Sequence, residues 1–454
     1  MLYLLQLKQV LLSVKKERSF KVAITTLGCK VNFFDSAAMG ESLRGGGFEV
    51  LPFPAIADIY IINSCTVTES TDAQSRQLIR RALRMNPGAP VIVTGCYAQH
   101  SADAIAAISD RLHILGNWEK AEILTYLRKI IADSSCVICV SDIACVKNLS
   151  APPLPSSFNR TRAFLKIQDG CNAACSYCIV PRVRGSSRSI PLENALENIT
   201  ALARSGYREI VLTGIHMGAY GLDLTPQKSL LDLLQHLSGD ERLKGVRIRL
   251  SSIEPNEITD ELIDFISRSD LVCPHLHIPL QSGDEIVLKS MNRSYTPAGF
   301  KHIIEKLVAS IPGLNIGVDV IAGFPGETET HFQNTLCFIQ DLPVGYLHVF
   351  PYSRRPGTPA ALLPDHVPES IKKQRAAVLR EISLNKKKRF YSSFLNKTLP
   401  VLIERKRDPK TQLLKGFSGN YIPVLIDGPD ELMGNEIMAT VVDVRETSVY
   451  GEKE

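Results

Sequence analysis

Ala163-Phe-Leu-Lys-Ile-Gln-Asp-Gly-Cys171-Asn-Ala-Ala-Cys175-Ser-Tyr-Cys178 sets three cysteines in one tight loop behind a short apolar run. The run Ala163–Gln168 reads as a buried strand, and the C-x3-C-x2-C spacing turns three thiols toward one face. Thiolates are the usual protein ligands of iron–sulfur clusters. A cubane has four irons, so three cysteines leave one iron open for a substrate or cofactor. Zinc sites normally show four ligands in paired spacing, and no fourth Cys or His stands beside this trio. Three thiols buried for packing alone are the plainer alternative.

Downstream, Glu209–Thr213, Val246–Leu250, His275–Leu280, Asn315–Ile321 and Tyr346–Phe350 continue the strand pattern. Leu192–Ser205, Ser229–Leu237, Thr259–Ser267, Thr296–Ala309 and Glu329–Asp341 read as helices between them. Six βα units over residues 160–388 predict a partial (β/α)6 barrel with its site at the carboxyl ends of the strands. Polar and Gly-rich residues fall at those ends: Gln168 before Cys171, Gly214 to Gly218, Ser251 to Glu254, Gln281 to Asp284, Gly323 to Glu327 and Tyr352 to Arg355. One Gly behind a strand is usually a turn. Six such ends in phase make a rim able to hold a nucleoside cofactor. His216 on that rim reads as a loop or cofactor-packing residue, not a metal ligand.

Upstream, Cys29 follows Lys21–Gly28, Cys65 follows Ala57–Ser64, and Cys96 follows Pro90–Gly95, each a short β-branched apolar run. Helical patterns at Ser36–Arg44 and Asp72–Met85 alternate with them, the second stopped by Asn86-Pro87-Gly88. Alternating βαβα implies a parallel sheet whose strand-end loops share one edge. Three cysteines at three such ends converge although more than thirty residues separate each pair, which points to a second three-cysteine cluster.

The eleven cysteines of this 454-residue chain are odd in number and clustered, which fits metal ligation in a reducing cytoplasm better than a disulfide framework. Residues 1–19 read as a short amphipathic extension, too short in its apolar part to span a bilayer. Asn148–Asn159 reads as a linker. Cys136, Cys139 and Cys145 lie in or near an apolar run and are read as packing residues. Beyond Ser393, short β-rich runs at Thr398–Glu404, Leu413–Phe417, Tyr421–Ile426 and Glu436–Val444 predict a small antiparallel barrel. Residues 371–410 hold thirteen Lys/Arg against three Asp/Glu. Most basic runs are solvated helix faces, but beside such a barrel this one points to nucleic-acid phosphates.

From about Val22 to Val444 the sequence resembles the radical-SAM methylthiotransferases. The spacing of Cys171, Cys175 and Cys178 is the radical-SAM signature, and Cys178-Ile-Val-Pro-Arg-Val-Arg-Gly-Ser-Ser-Arg188 looks like the family's flank. Thr26-Leu-Gly-Cys-Lys-Val-Asn32, Asn63-Ser-Cys-Thr-Val-Thr68, Ser75–Arg81 and Thr94-Gly-Cys-Tyr-Ala-Gln99 resemble the MtaB type, with Ser64 where Thr is common. The resemblance implies an N-terminal methylthiotransferase domain (20–149), a radical-SAM core (160–388) and a C-terminal TRAM domain (393–454). It implies two 4Fe-4S clusters, one on Cys29, Cys65 and Cys96. The other, on Cys171, Cys175 and Cys178, binds S-adenosyl-L-methionine (SAM), for which Gln168, Gly214, Ser251, Gln281, Gly323 and Tyr352 are the rim candidates.

The implied substrate is N6-threonylcarbamoyladenosine at tRNA position 37. Its C2–H is an unactivated aromatic position that yields to a radical and not to a base or nucleophile. Lys386, Lys387, Lys388, Arg389, Arg405, Lys406 and Arg407 are candidate tRNA contacts, and a flavodoxin or ferredoxin is the expected electron donor. Isopentenyladenosine tRNA and a ribosomal-protein aspartate are the rival substrates. A nucleic-acid-binding protein with structural clusters is the rival of another class, and a structural cluster needs no vacant iron.

Overall fold

The computed structural model describes residues 19–133, 136–149, 153–155 and 160–454; the N-terminal extension and much of the expected linker lie outside them. The first unit contains β1 (Lys21–Thr26), α1 (Lys30–Gly45), β2 (Glu49–Pro52), β3 (Ile59–Ser64), α2 (Glu69–Met85), β4 (Val91–Gly95), α3 (Cys96–His100), β5 (Leu112–Leu115) and β6 (Ile138–Cys139). Its strands form one parallel sheet in the order β2-β1-β3-β4-β5-β6. Every residue of β3 and β4 is buried, as helices on both faces of a parallel sheet require. Thr26 pairs with Asn63 and Ser64 with Gly95. The three strands therefore stop nearly level, and Cys29, Cys65 and Cys96 all leave from one edge.

The central unit places β7 (Ala163–Lys166), the short pair β8 (Gln168–Asp169) and β9 (Arg188–Ser189), and the one-turn helix α4 (Val180–Arg184) around the cysteine loop. β10 (Glu209–Thr213), β11 (Arg247–Leu250), β12 (His275–His277), β13 (Asn315–Ala322) and β14 (Tyr346–Pro351) follow, with helices at 192–204, 230–238, 260–268, 297–310 and 329–341 between them. Two parallel three-stranded sheets, β11-β10-β7 and β12-β13-β14, are joined by bridges Ile248–Val272 and Ser252–His277 into a six-stranded arc. That arc is the expected partial barrel. Its largest apolar core also takes in Phe34 and Ala38 of α1, so the first unit packs onto the barrel through an apolar helix face.

Most of the basic tract is carried on α5 (Glu369–Ser392), a 24-residue helix, and its last part lies on and just beyond the strand at Thr398–Arg407. Five strands then close a barrel, β15 (Thr398–Arg407), β16 (Leu414–Ser418), β17 (Pro423–Ile426), β18 (Glu436–Val444) and β19 (Val449–Lys453), in the order β15-β16-β17-β19-β18. The pair β17–β19 is parallel and the other four are antiparallel. An odd number of strands cannot alternate direction all the way round, so one parallel pair is forced. The β16–β17 turn docks on the amino-terminal end of the central barrel: Arg247 donates to Phe417 O at 2.7 Å, Arg249 to Gly419 O at 2.9 Å, and Asn315 to Asn420 O at 2.9 Å. The described residues contain no helix long and apolar enough to cross a membrane.

Candidate active site

The loop of Cys171, Cys175 and Cys178 is built by backbone. Cys171 N–H donates to Gly185 O, Cys178 N–H to Cys175 O, and Ser176 N–H to Met291 O. Arg293 donates to Cys175 Sγ at 3.1 Å and also pairs with Glu254. His216 Nδ1 lies 3.3 Å from Cys171 Sγ, and its other nitrogen lies 2.6 Å from Glu257. Burial pushes the Cys178 thiol up to about 12, with Cys175 and Cys171 adding their repulsion. Such thiols give up their protons when a cation replaces them.

The upstream trio converges as the strand ends require. Burial, then Cys96 and Cys29, raise Cys65 to about 12, so the three sulfurs are electrostatic neighbours. Gly28 has φ +101°, and a Cβ there would fall 2.8 Å from Cys65 Sγ. Asn32 ties the loops together by donating to Leu27 O at 2.8 Å and Ser64 O at 3.0 Å. Tetrahedral zinc with 2.3 Å bonds holds its sulfurs about 3.8 Å apart. Among the described residues, the group of three ligating side chains within 4.8 Å of one another is His277, Asp319 and His348, and neither cysteine trio is that tight. Each trio offers three free thiols.

The cysteine edge of the first sheet faces the carboxyl-terminal mouth of the barrel. Cys96 packs against Ile179 and Val183, directly after Cys178, and Asn117 donates to Val183 O at 2.6 Å. On the Cys65 side, Arg355 donates to Thr66 and Asp72, each at 2.6 Å. Between the trios lies a buried ion network. Asp35 accepts from Lys120 and Lys166 at 2.5 Å each and lies 3.4 Å from Arg184. Asp169 accepts from Arg184 at 2.9 Å and from Lys166 at 3.1 Å, while Arg184 also reaches Asn32. These residues link the segment after Cys29 to the segments on either side of Cys171–Cys178.

The expected rim residues divide into two groups. Gln168 is fully buried and braces the cysteine loop, donating to Gly170 O at 2.8 Å and Ser187 Oγ at 2.9 Å while accepting from His216 N–H. Gly214 packs on Gln168, where a Cβ would meet its Oε1 at 2.8 Å. Gly323 N–H donates to Glu327 at 2.9 Å. The Ser251 and Tyr352 hydroxyls are buried without a hydrogen-bond partner among the described residues, and Gln281 adopts φ +66° in the loop after β12. Inside the lumen, His275, His277, Tyr346 and His348 pack ring against ring at centroid distances of 4.8 to 6.2 Å. No motif marked this wall, because its rings come as two alternate-residue pairs, one on β12 and one on β14, from strands far apart in sequence.

Among the basic candidates, Lys386 donates to Gln340 O and Leu342 O, Lys387 leans over the Tyr346 ring, and Arg407 pairs with Asp430 and Gly428 O. Lys388, Arg389, Arg405 and Lys406 are exposed.

The fold and the open-sided cysteine loop together define a radical-SAM enzyme. The family models agree, the Radical SAM superfamily matching residues 165–339 and the uncharacterized protein family UPF0004 residues 21–116. A solved radical S-adenosylmethionine methyltransferase, TsrM from Kitasatospora setae, shares the fold at TM-score 0.55 over 76% of this chain and 75% of its own, with 15% identity. The threonylcarbamoyladenosine tRNA methylthiotransferase MtaB of Bacillus subtilis is 41% identical over 93% of each chain. The tRNA-2-methylthio-N(6)-dimethylallyladenosine synthase of Carboxydothermus hydrogenoformans is 32% identical over 92% of this chain and 96% of its own. The chain belongs to the MtaB family of radical-SAM tRNA methylthiotransferases.

Proposed function

We propose that this protein replaces the C2 hydrogen of N6-threonylcarbamoyladenosine at position 37 of tRNA with a methylthio group. What supports the proposal is the packing of Cys96 against Ile179 and Val183, directly after Cys178, which brings the two cysteine-bearing edges together at the barrel mouth. Cys171, Cys175 and Cys178 would hold the 4Fe-4S cluster that binds SAM, and Cys29, Cys65 and Cys96 a second one. When bound, the first supplies radical chemistry with SAM and the second supplies sulfur; the protein provides ligation, orientation and exclusion of water. Arg293 donates a charged hydrogen bond to Cys175, which holds that sulfur in place. The Asp35–Arg184 network fixes the separation between the trios. A reduced flavodoxin or ferredoxin of the cytoplasm would deliver the electron.

The test is anaerobic turnover of anticodon stem-loop RNA carrying threonylcarbamoyladenosine, with SAM and a reductant, read by nucleoside mass spectrometry. The methylthio nucleoside is expected. Methylthiolation of isopentenyladenosine RNA alone would hand the substrate to the sister type.

For tRNA grip, the exposed Lys388, Arg389, Arg405 and Lys406 are the side chains available to phosphate. Replacing all four with Gln is expected to weaken tRNA binding and flatten its log–log salt slope by roughly 0.7–0.9 per lost contact. A filter-binding titration in salt measures this. An unchanged slope assigns these residues to a merely solvated surface.

A further inference from the structure

The floor of the barrel lumen carries an excess of positive charge, and one of its cations has no hydrogen-bond or ion-pair partner among the described residues. Arg162, Arg247 and Arg249 converge on Glu209 at 3.9, 2.7 and 2.7 Å. Arg162 and Arg247 take second carboxylates in Glu404 and Glu436, and Arg249 lies over the Tyr421 ring. Lys30, the first residue of α1, lies within electrostatic reach of this cluster, and burial lowers its ammonium from the usual lysine value. The groups facing its ammonium are Tyr421, Arg249, Arg162 and Glu209, and no hydrogen bond or ion pair joins its side chain to another described residue. It also acts on His275, together with Arg249, His277 and His348. The one acid on the histidine wall, Asp319, is committed to His277 at 2.8 Å and His348 at 3.5 Å. Burial would raise the Tyr421 phenol, yet Arg162, Lys30 and Arg249 outweigh it and hold the phenol below its usual value. With three arginines gathered on Glu209 and Lys30 facing them, the charges at this end of the lumen favour an anion.

Threonylcarbamoyladenosine brings one. Its N6 arm ends in a carboxylate, whereas a dimethylallyl arm is neutral and apolar. C6, which bears the arm, and C2, which takes the sulfur, flank the same ring nitrogen, so a group that reads the arm must stand beside the sulfur-bearing site. Lys30 is the residue after Cys29. Resting on the substrate reading above, we propose that Lys30 is the specificity-determining residue for the N6 arm, its ammonium pairing with the substrate carboxylate inside the lumen. Neutral arms leave that ammonium desolvated and unpaired, and a site built to bond a polar group rejects analogues that lack it.

The test compares two stem-loop RNAs, one with threonylcarbamoyladenosine and one with its carboxylate methyl ester, on the reconstituted holoenzyme. The ratio of kcat/KM for acid over ester cancels any difference in cluster loading. Wild-type protein is expected to prefer the acid by about 10- to 100-fold, the scale of a hydrogen bond to a charged group. Lys30→Met should bring the ratio to about one, and Lys30→Arg should keep the preference for the acid. If Lys30→Met turns over too slowly, the ratio of the two RNA affinities gives the same comparison. A wild-type ratio near one, or an unchanged ratio in Lys30→Met, overturns the assignment while leaving the substrate reading intact. Wild-type turnover of isopentenyladenosine RNA and of neither test RNA removes both.

Discussion

A Cys29→Ala/Cys65→Ala/Cys96→Ala protein is expected to cleave SAM while forming no methylthio nucleoside at all. Anaerobically prepared wild-type protein should hold roughly eight irons, two cubanes of four, and this variant about half of them. The complementary Cys171→Ala/Cys175→Ala/Cys178→Ala protein should also keep about half its iron, yet release no 5′-deoxyadenosine. The separation is possible because the trios have different supports. The upstream thiols leave a sheet edge and are tied by Asn32. The downstream loop is held by Gly185, Met291 and Arg293. Iron analysis, a 5′-deoxyadenosine assay and nucleoside mass spectrometry on the three proteins decide the matter. Full iron retention in the upstream variant would sink the two-cluster reading.

The loop and the strand ends that carry the two sets of cysteines were legible because their signals are local. Cys171–Cys178 is one loop, and each upstream cysteine directly follows an apolar strand whose length and composition announce it. The strand and helix alternation of the barrel was legible for the same reason, with Glu209–Thr213 and Glu329–Asp341 bounded as expected. The deviations have specific causes. The strand expected over His275–Leu280 stops at His277, where Pro279 lacks an N–H to donate and Gln281 turns through a positive φ. The helix expected from Ser36 begins at Lys30, since its N-cap, Cys29, makes no side-chain cap that would mark the start. β19 alternates too few apolar residues among Gly451, Glu452 and Lys453 to stand out, and it forms because a four-stranded barrel would leave β17 and β18 unpaired at an edge.

What the sequence concealed are polar pairs between distant segments. Asp35, Lys120, Lys166 and Arg184 are each ordinary surface types, and nothing local says that burial awaits them. Only the docking of the first sheet on the barrel mouth brings them together. The same holds for Lys30, whose place in a motif marks it as a family residue without saying that its ammonium faces Tyr421, Arg249, Arg162 and Glu209.

Asp35→Ala is expected to destabilise the protein by about 3–5 kcal/mol at neutral pH, the usual effect of removing one partner from a buried ion pair. Asp35, Lys120, Lys166 and Arg184 are all nearly inaccessible. Without Asp35, two lysines and an arginine would share Asp169 alone, and each unpaired ammonium would keep its desolvation penalty. Burial by itself would raise the Asp35 carboxyl, but Lys120, Lys166 and Arg184 outweigh it and hold it at about 2. A depressed carboxyl contributes its stability above its unfolded pKa, near 4, and loses it as pH falls toward the folded value. The gap between wild type and variant should therefore be full at pH 7 and narrow steadily below pH ~4. Urea titrations of the two cluster-free proteins at pH 7 and at pH 3 measure it. Hydrogen exchange should show the loss first where α1 meets α4, because Asp35 and Asn32 of α1 and Arg184 of α4 are where the network clamps the two units. A gap that stays constant with pH would mean that Asp35 acts through its shape, and a gap below 1 kcal/mol at pH 7 would mean that the network does not hold the trios apart.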